Sequence, residues 1–366
     1  MGGTLADYPH AVAFDPASNL VVTGSFQADV NFGGGVLTSI GRDDAFLVTL
    51  SAADGSYVRA TSFGDVGPDS GLAVAVDATG GAVLAGQFSG TVNFGGGALM
   101  SGGLMDGFIA KYRTADGTHI RSRTIGGTDL DAVNGVAIDA SGDIVVTGYF
   151  TGGVDLGGGP LAANGGWDVF VAKYRGVDGS HLWSRGFGGT LNDVGTAVAV
   201  GPSGDAYVTG AVSGTVDFGG GSLPSSGGTD VFLLKLSSGD GSHVWSQRFG
   251  GTGADRAGSV AADDATEDVV VVGRFEATID LGGGPLGSAG FDDIFVARLS
   301  AAGIHIWSSR YGGSGFDWAM GVAVDPAGGT ILTGYYEDSV DFGGGAVASA
   351  GLTDAFVLKL SEAGAY

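Results

Sequence analysis

The sequence predicts an all-β fold, a six-bladed β-propeller of four-stranded antiparallel blades whose last blade lacks its outer strand. Three registers predict it. Phe or Leu followed by three glycines begins at Phe32, Phe94, Leu156, Phe218, Leu281 and Phe342. Asp-x-Phe begins at Asp44, Asp106, Asp168, Asp230, Asp293 and Asp354, with the same steps of 61 to 63 residues. A single aspartate recurs every 62 residues at Asp7, Asp69, Asp131, Asp193, Asp255 and Asp317. Self-similarity at a fixed period marks a repeat architecture, in which length is no guide to domain number. The whole chain, 1–366, is therefore expected to be one domain, with repeats near 1–64, 65–126, 127–188, 189–250, 251–312 and 313–366.

Each repeat reads as four strands, here lettered A to D. In the third, A is 135–139, B 143–150, C 168–174 and D 181–187. The runs are short, rich in β-branched and aromatic residues, and bounded by Gly and Asp. No segment keeps a helical period. Strand A carries a small residue at a fixed place (Ala13, Ala75, Ala137, Ala199, Ala261, Ala323) and another two residues before it. Small residues suit crowding around an axis, so A is expected innermost. Trp183, Trp245 and Trp307 on strand D suit the wider outer gap. Radial repetition of four-stranded sheets is the propeller solution to exposed sheet edges.

The turns follow. Asp54-Gly55, Asp116-Gly117, Asp178-Gly179 and Asp240-Gly241 join C to D, and Asp-Gly favours a type I′ hairpin turn. The A–B connections are tight, as in Asp139-Ala-Ser-Gly-Asp143. Strand alternation puts the longer D–A and B–C connections on one face.

The pattern resembles the bacterial SBBP β-propeller repeat family. The residues that carry the resemblance are Val216–Gly221 (VDFGGG), Asp168–Lys173 (DVFVAK) and the Trp-Ser-x-x-Phe-Gly-Gly run Trp183–Gly189. It extends over the whole chain. It implies a propeller, a secreted or cell-surface bacterial protein and no catalytic residues. The family label suggests seven blades, whereas six repeats are present.

The sixth repeat stops at Tyr366, the position that opens strand D elsewhere (Tyr57, His305), while Gly2-Gly3-Thr4 matches the residues just after a strand D. Three outcomes fit: a three-stranded blade, an outer strand from another chain, or a chain cut from a longer array. Edge pairing through blade 6 is expected, because an open edge invites another strand.

Composition narrows function. There are 74 glycines, no cysteine and a formal net charge of −23. Thiol nucleophiles and zinc-thiolate sites are excluded. The acidity argues against nucleic acid and anionic membranes, both of which select Lys/Arg footprints. No apolar run reaches the length of a membrane helix, so no membrane insertion is expected, and the start has no signal-peptide pattern. Of 39 acidic residues, 25 fall at recurring turn and strand-end positions, so the charge needs no cationic partner.

A residue type present in every repeat reads as scaffold; a repeat-breaking residue on a loop reads as function. His119, His181, His243 and His305 share one place, as do Lys111, Lys173, Lys235, Arg298 and Lys359, which suggests a repeated ion pair. The six aspartates from Asp7 to Asp317 allow two readings. They line a channel mouth and hold calcium or another cation through hard oxygen ligands, or each accepts backbone N–H bonds within its own loop. The repeat-breaking ligand candidates are Trp167, Trp318, Phe316, Phe291, Arg256, Tyr8 and His10, since aromatics and Arg anchor interfaces. The expected function is a non-enzymatic binding or display scaffold of a secreted or surface protein. It contacts a protein or carbohydrate through the long-loop face. The alternatives are a lectin using Trp167 and Trp318, and a hydrolase or lyase with an acidic channel mouth. Neither a nucleophile elbow nor a phosphate loop is present.

Overall fold

The computed structural model describes residues 2–366 and is all-β, a six-bladed β-propeller. Repeats 2 to 5 each form a sheet in the order A-B-C-D, repeat 1 forms the same sheet with Gly2–Gly3 added as a fifth strand against the outer end of strand B, and repeat 6 forms a three-stranded sheet A-B-C. In the third repeat the strands are Ala132–Ile138, Ile144–Phe150, Asp168–Tyr174 and His181–Phe187, close to the sequence reading. The chain divides into two compact units. One holds repeats 1 to 3 through Gly186, except Asn164–Asp168; the other holds Asn164–Asp168 and Phe187–Tyr366.

Within each unit the A strands of neighbouring repeats touch, which explains their small residues. A Cβ on Gly258 would stand 2.2 Å from the carbonyl oxygen of Ala319 on the next strand A. The outer gap is filled from strand D. In the second unit Trp245 and Trp307 each donate an indole N–H to the C–D turn of the following blade, at Ala301 (3.0 Å) and Glu362 (2.8 Å). In the first unit Arg59 and Arg121 reach across likewise, to Ala115 and Gly176. Between these layers lie the apolar residues of strands B and C, such as Val269, Val271, Phe295 and Ala297, all fully buried.

Two sequence expectations are corrected. The C–D turns are not type I′. Leu50 pairs with Tyr57 across them, so the loop is longer than two residues, and only the glycine has positive φ (Gly55, 68°). Asp54 contributes its Oδ1, which accepts the Ser56 N–H at 3.0 Å. The B–C connections are also not open loops. Strands B and C continue as a ribbon, interrupted by a bulge that needs positive φ (Ala28, Gly214, Ala277, Asp338). Beyond the bulge the glycine triplet lies against the first residue of strand D. A Cβ on Gly220 would meet the His243 ring at 2.3 Å and displace it, and the flanking Gly219 and Gly221 have φ of 103° and 108°. The face near strand A is formed by the bulge, not by the triplet.

Candidate functional site

The recurring polar residues are scaffold, and their geometry says how. Strand-C lysines pair with the aspartate that ends strand A: Lys111 with Asp77 at 2.7 Å, Lys173 with Asp139 at 2.8 Å and Lys359 with Asp325 at 2.7 Å. Arg298 pairs with Asp263. Where Gly201 replaces that aspartate, Lys235 turns to Asp205 and Glu267. The strand-D histidines each contact a serine three residues on, at 3.0 to 3.1 Å. Each Asp-x-Phe aspartate accepts the N–H four residues before it and so fixes the bulge, as Asp230 does with Ser226 at 2.8 Å.

The loop aspartates are clips of the same kind. Asp69, Asp131, Asp193, Asp255 and Asp317 each accept one N–H from the D–A loop and one from the end of strand B. For Asp193 these are Gly189 at 2.7 Å and Ser213 at 2.8 Å. Asp7 accepts Gly3 N–H at 2.5 Å. Burial pushes these carboxyls up, to about 7 for Asp69 and about 6 for Asp131, Asp193, Asp255 and Asp317, against the lowering effect of the two amides. The neighbouring Asp-x-Phe carboxylate adds to the rise, as Asp168 does for Asp193. Both oxygens of the five are engaged by backbone. Among the described residues no three acidic or histidine side chains converge as ligands of one ion.

The repeat-breaking residues behave differently. Phe291, on the bulge of repeat 5, and Phe316, on the loop entering repeat 6, lie 25 residues apart in sequence. They stack with ring centroids 4.7 Å apart and planes 9° from parallel. They stay 63% and 42% exposed, although a stacked apolar pair would ordinarily be covered. Beside them Asp317 N–H donates to the Asp292 carbonyl at 2.9 Å, tying the loop to the bulge. Arg274 pairs with the buried Asp292, and its guanidinium lies 4.6 Å over the Trp318 ring. Tyr335 meets Trp318 edge-on at 6.2 Å. Arg256 is exposed and stands opposite Arg274 across the A–B ladder. Trp318 and Tyr335 occupy in repeat 6 the places Arg256 and Arg274 hold in repeat 5. Four of the seven predicted residues, Arg256, Phe291, Phe316 and Trp318, are thus brought into one region of repeats 5 and 6.

The other three lie elsewhere. Tyr8 and His10 are exposed in repeat 1 and stack at 6.5 Å. Trp167 is 37% exposed, and its N–H donates to Asn192 at 3.2 Å. Sequence reasoning missed Arg274 and Tyr335, which sit inside strand B. It also missed the exposed bulge and loop residues Ile40, Leu104, Leu191 and Leu352. A large aliphatic residue among Gly, Ser and Thr at a bulge position was the available signal.

No protein-family model matches the chain, and no curated protein matches it. Among solved structures it is similar to the WD40 repeats of RRP9, with a TM-score of 0.42 and 11% identity over 91% of this chain and 88% of that one. It is also similar to the Dos1 propeller, with a TM-score of 0.44 and 9% identity over 90% of this chain and 65% of that one.

Proposed function

We propose that the protein is a non-enzymatic binding scaffold, and that the Phe291–Phe316 pair with Arg256, Arg274 and Trp318 anchors a protein ligand. One observation carries the reading: two stacked phenylalanines from different connections are left exposed on a rigid frame. Exposed apolar surface rimmed by polar groups marks an interaction site, and binding residues ride on loops held by a scaffold. Arg274 is paired with Asp292, and Glu337 accepts the Phe316 N–H, so the apolar pair is rimmed by charged groups of both signs together with the exposed Arg256. A protein ligand is favoured over a sugar because one face of Trp318 lies under Arg274 and each phenylalanine has one face against the other. The raised carboxyls recur at five equivalent clips, Asp69, Asp131, Asp193, Asp255 and Asp317, and belong to the frame, which leaves the hydrolase or lyase reading without a distinguishing site. The resemblance to SBBP repeats supports a secreted or surface setting.

The test is selection of peptide or protein binders from a displayed library on the wild-type chain, with counter-selection on the double variant Phe291→Ser/Phe316→Ser. A glycan array is probed in parallel. Binders that need both rings are expected. Binders indifferent to the double variant, or glycan binding that needs Trp167 or Trp318, would overturn the reading.

A further inference from the structure

Strand D does not fill the gap between blades alike in every repeat. Its third residue is Trp183, Trp245 and Trp307 in repeats 3 to 5, but Arg121 in repeat 2. In the second unit the indoles of Trp245 and Trp307 pack against the buried core of their gaps. Arg121 instead reaches the C–D turn of repeat 3, where its guanidinium donates to the Gly176 carbonyl at 2.8 Å and the Val177 carbonyl at 2.5 Å. The turn glycine marks the equivalence: a Cβ on Gly303 would stand 3.2 Å from Trp245 Cδ2, and one on Gly179 3.0 Å from Arg121 Cδ. What an indole fills in repeats 4 and 5 is here a cavity of about 340 Å³. Small-molecule sites run from about 300 to 1,000 Å³.

Strand register builds the cavity. Val83, Lys111 and Arg121 stand side by side across strands B, C and D of repeat 2, and Ala85, Ile109 and Arg123 form the next row on the same face. Ile144, which opens strand B of repeat 3, closes it from the neighbouring blade. Val83, Ile109 and Ile144 are buried and make an apolar floor. Three cations stand over it. Lys111 is matched by Asp77 at 2.7 Å. Arg121 and Arg123 are held by neutral groups, Arg123 by the Gly179 carbonyl at 3.4 Å and the Tyr174 ring 4.4 Å away. A guanidinium has five N–H donors, and among the described residues Arg123 gives one of them to a protein acceptor. The acidic residue of the cavity wall, Asp178, is exposed and accepts the Ser180 N–H at 2.9 Å. Two guanidiniums against that carboxylate leave one positive charge in excess, in a chain of net charge −23.

We propose that the cavity between repeats 2 and 3 binds a small aromatic carboxylate. The ring takes the place of the indole of repeats 4 and 5, over Val83, Ile109 and Ile144. The carboxylate accepts from Arg123, with Arg121 beside it. The ring follows from the apolar floor and from what the same gap holds in repeats 4 and 5, and the single negative charge from the excess of one cation. The planar fork of arginine matches a carboxylate and forms charge-assisted hydrogen bonds with it. The inference does not rest on the loop patch of repeats 5 and 6, with which it shares no residue.

The experiment titrates the full chain with indole-3-acetate, read by calorimetry and by the methyl resonances of Ile109 and Ile144. One-to-one binding that shifts both methyls is expected, with the neutral analogue indole-3-acetamide weaker by about tenfold or more. Two variants borrow residues from other repeats. Arg121→Trp installs the residue of repeats 4 and 5 and should abolish binding while thermal stability is kept. Arg123→Gln installs the residue of repeat 4, Gln247, and should weaken the acid by about tenfold while leaving the amide unchanged. The second variant keeps the test valid if Arg121→Trp disturbs the gap. No binding at millimolar indole-3-acetate, equal binding of acid and amide, or undiminished binding to a folded Arg121→Trp would overturn the inference. So would the same affinity and methyl shifts with inorganic phosphate, since the cavity would then select charge without a ring.

Discussion

Arg298 and Lys359 hold the same place in repeats 5 and 6 but differ in what removing them should cost. Arg298 is 1% exposed. Its Nε donates to Asp268 at 3.0 Å, one Nη to the Gly328 carbonyl at 2.7 Å, and the other to Asp263 and Thr266. Asp263 is 3% exposed. Burial raises its pKa, but the Ala265 amide, Arg298 and the Thr266 amide together hold it below the ordinary value. Arg298→Met keeps much of the volume and leaves Asp263 with backbone donors alone. Breaking a buried pair from one side costs about 3–5 kcal/mol. Lys359 is 64% exposed on its side chain, and its bond to Asp325 is screened by water. Lys359→Met should leave stability nearly unchanged. Repeat arrays open locally, so the assay is native-state amide exchange by repeat rather than one global midpoint. Protection in strands B and C of repeat 5 should fall by roughly two to four orders of magnitude in Arg298→Met. Equal losses in the two variants, or a loss under tenfold for Arg298→Met, would refute the argument.

Further predictions concern pH, packing and the loop patch. Asp69, Asp131, Asp193, Asp255 and Asp317 have folded pKa values of about 6 to 7, above the ordinary carboxyl range. The folded state therefore holds more protons between about pH 4 and 7, and their contribution is lost as pH rises through that window. Asp77 works oppositely. Burial raises it, but Lys111, Thr79 and the Gly81 amide hold it at about 2, so its contribution is lost only in stronger acid. Thermal stability should rise from pH 7.5 to 5.0, and Asp69→Asn should flatten the rise; a fall on acidification over this range would contradict the assignment. Gly258→Ala should cost about 1–3 kcal/mol by forcing strands A of repeats 5 and 6 apart. Gly239→Ala, with only Ser237 Oγ near at 3.9 Å, should be close to neutral in urea unfolding. Phe291→Ser/Phe316→Ser should leave the circular dichroism and amide protection of the strands intact, because both rings are exposed.

Much of this architecture was legible because the same local chemistry is written six times. The small residues of strand A follow from the approach of Gly258 to Ala319, and the Lys–Asp pairs from two positions that recur together. The clip reading of Asp69 to Asp317 needed only that a carboxylate follow a Gly-rich loop. What was illegible is contact between positions that do not repeat. Phe291 and Phe316 stack only because the bulge of one repeat leans on the loop entering the next. Arg274 looked like a strand residue and nothing more, since its place over Trp318 depends on the neighbouring sheet. The C–D turns were misread because Asp-Gly carries the same signal whether it fills a two-residue turn or the end of a longer one, and loop length was set by the strand register. The B–C ribbon was misplaced for a related reason: its bulge is made by Ala28 or Ala277 at positive φ, which no residue preference announces.

The central claim is that recurring residues build the frame while the repeat-breaking patch of repeats 5 and 6 does the binding. Amide-exchange footprinting of a binder selected on the wild-type chain tests it most directly. Protection gathered on residues 288–292 and 314–318, and abolished by Phe291→Ser/Phe316→Ser, is the predicted result. Protection over the recurring clips with that patch left open would contradict it.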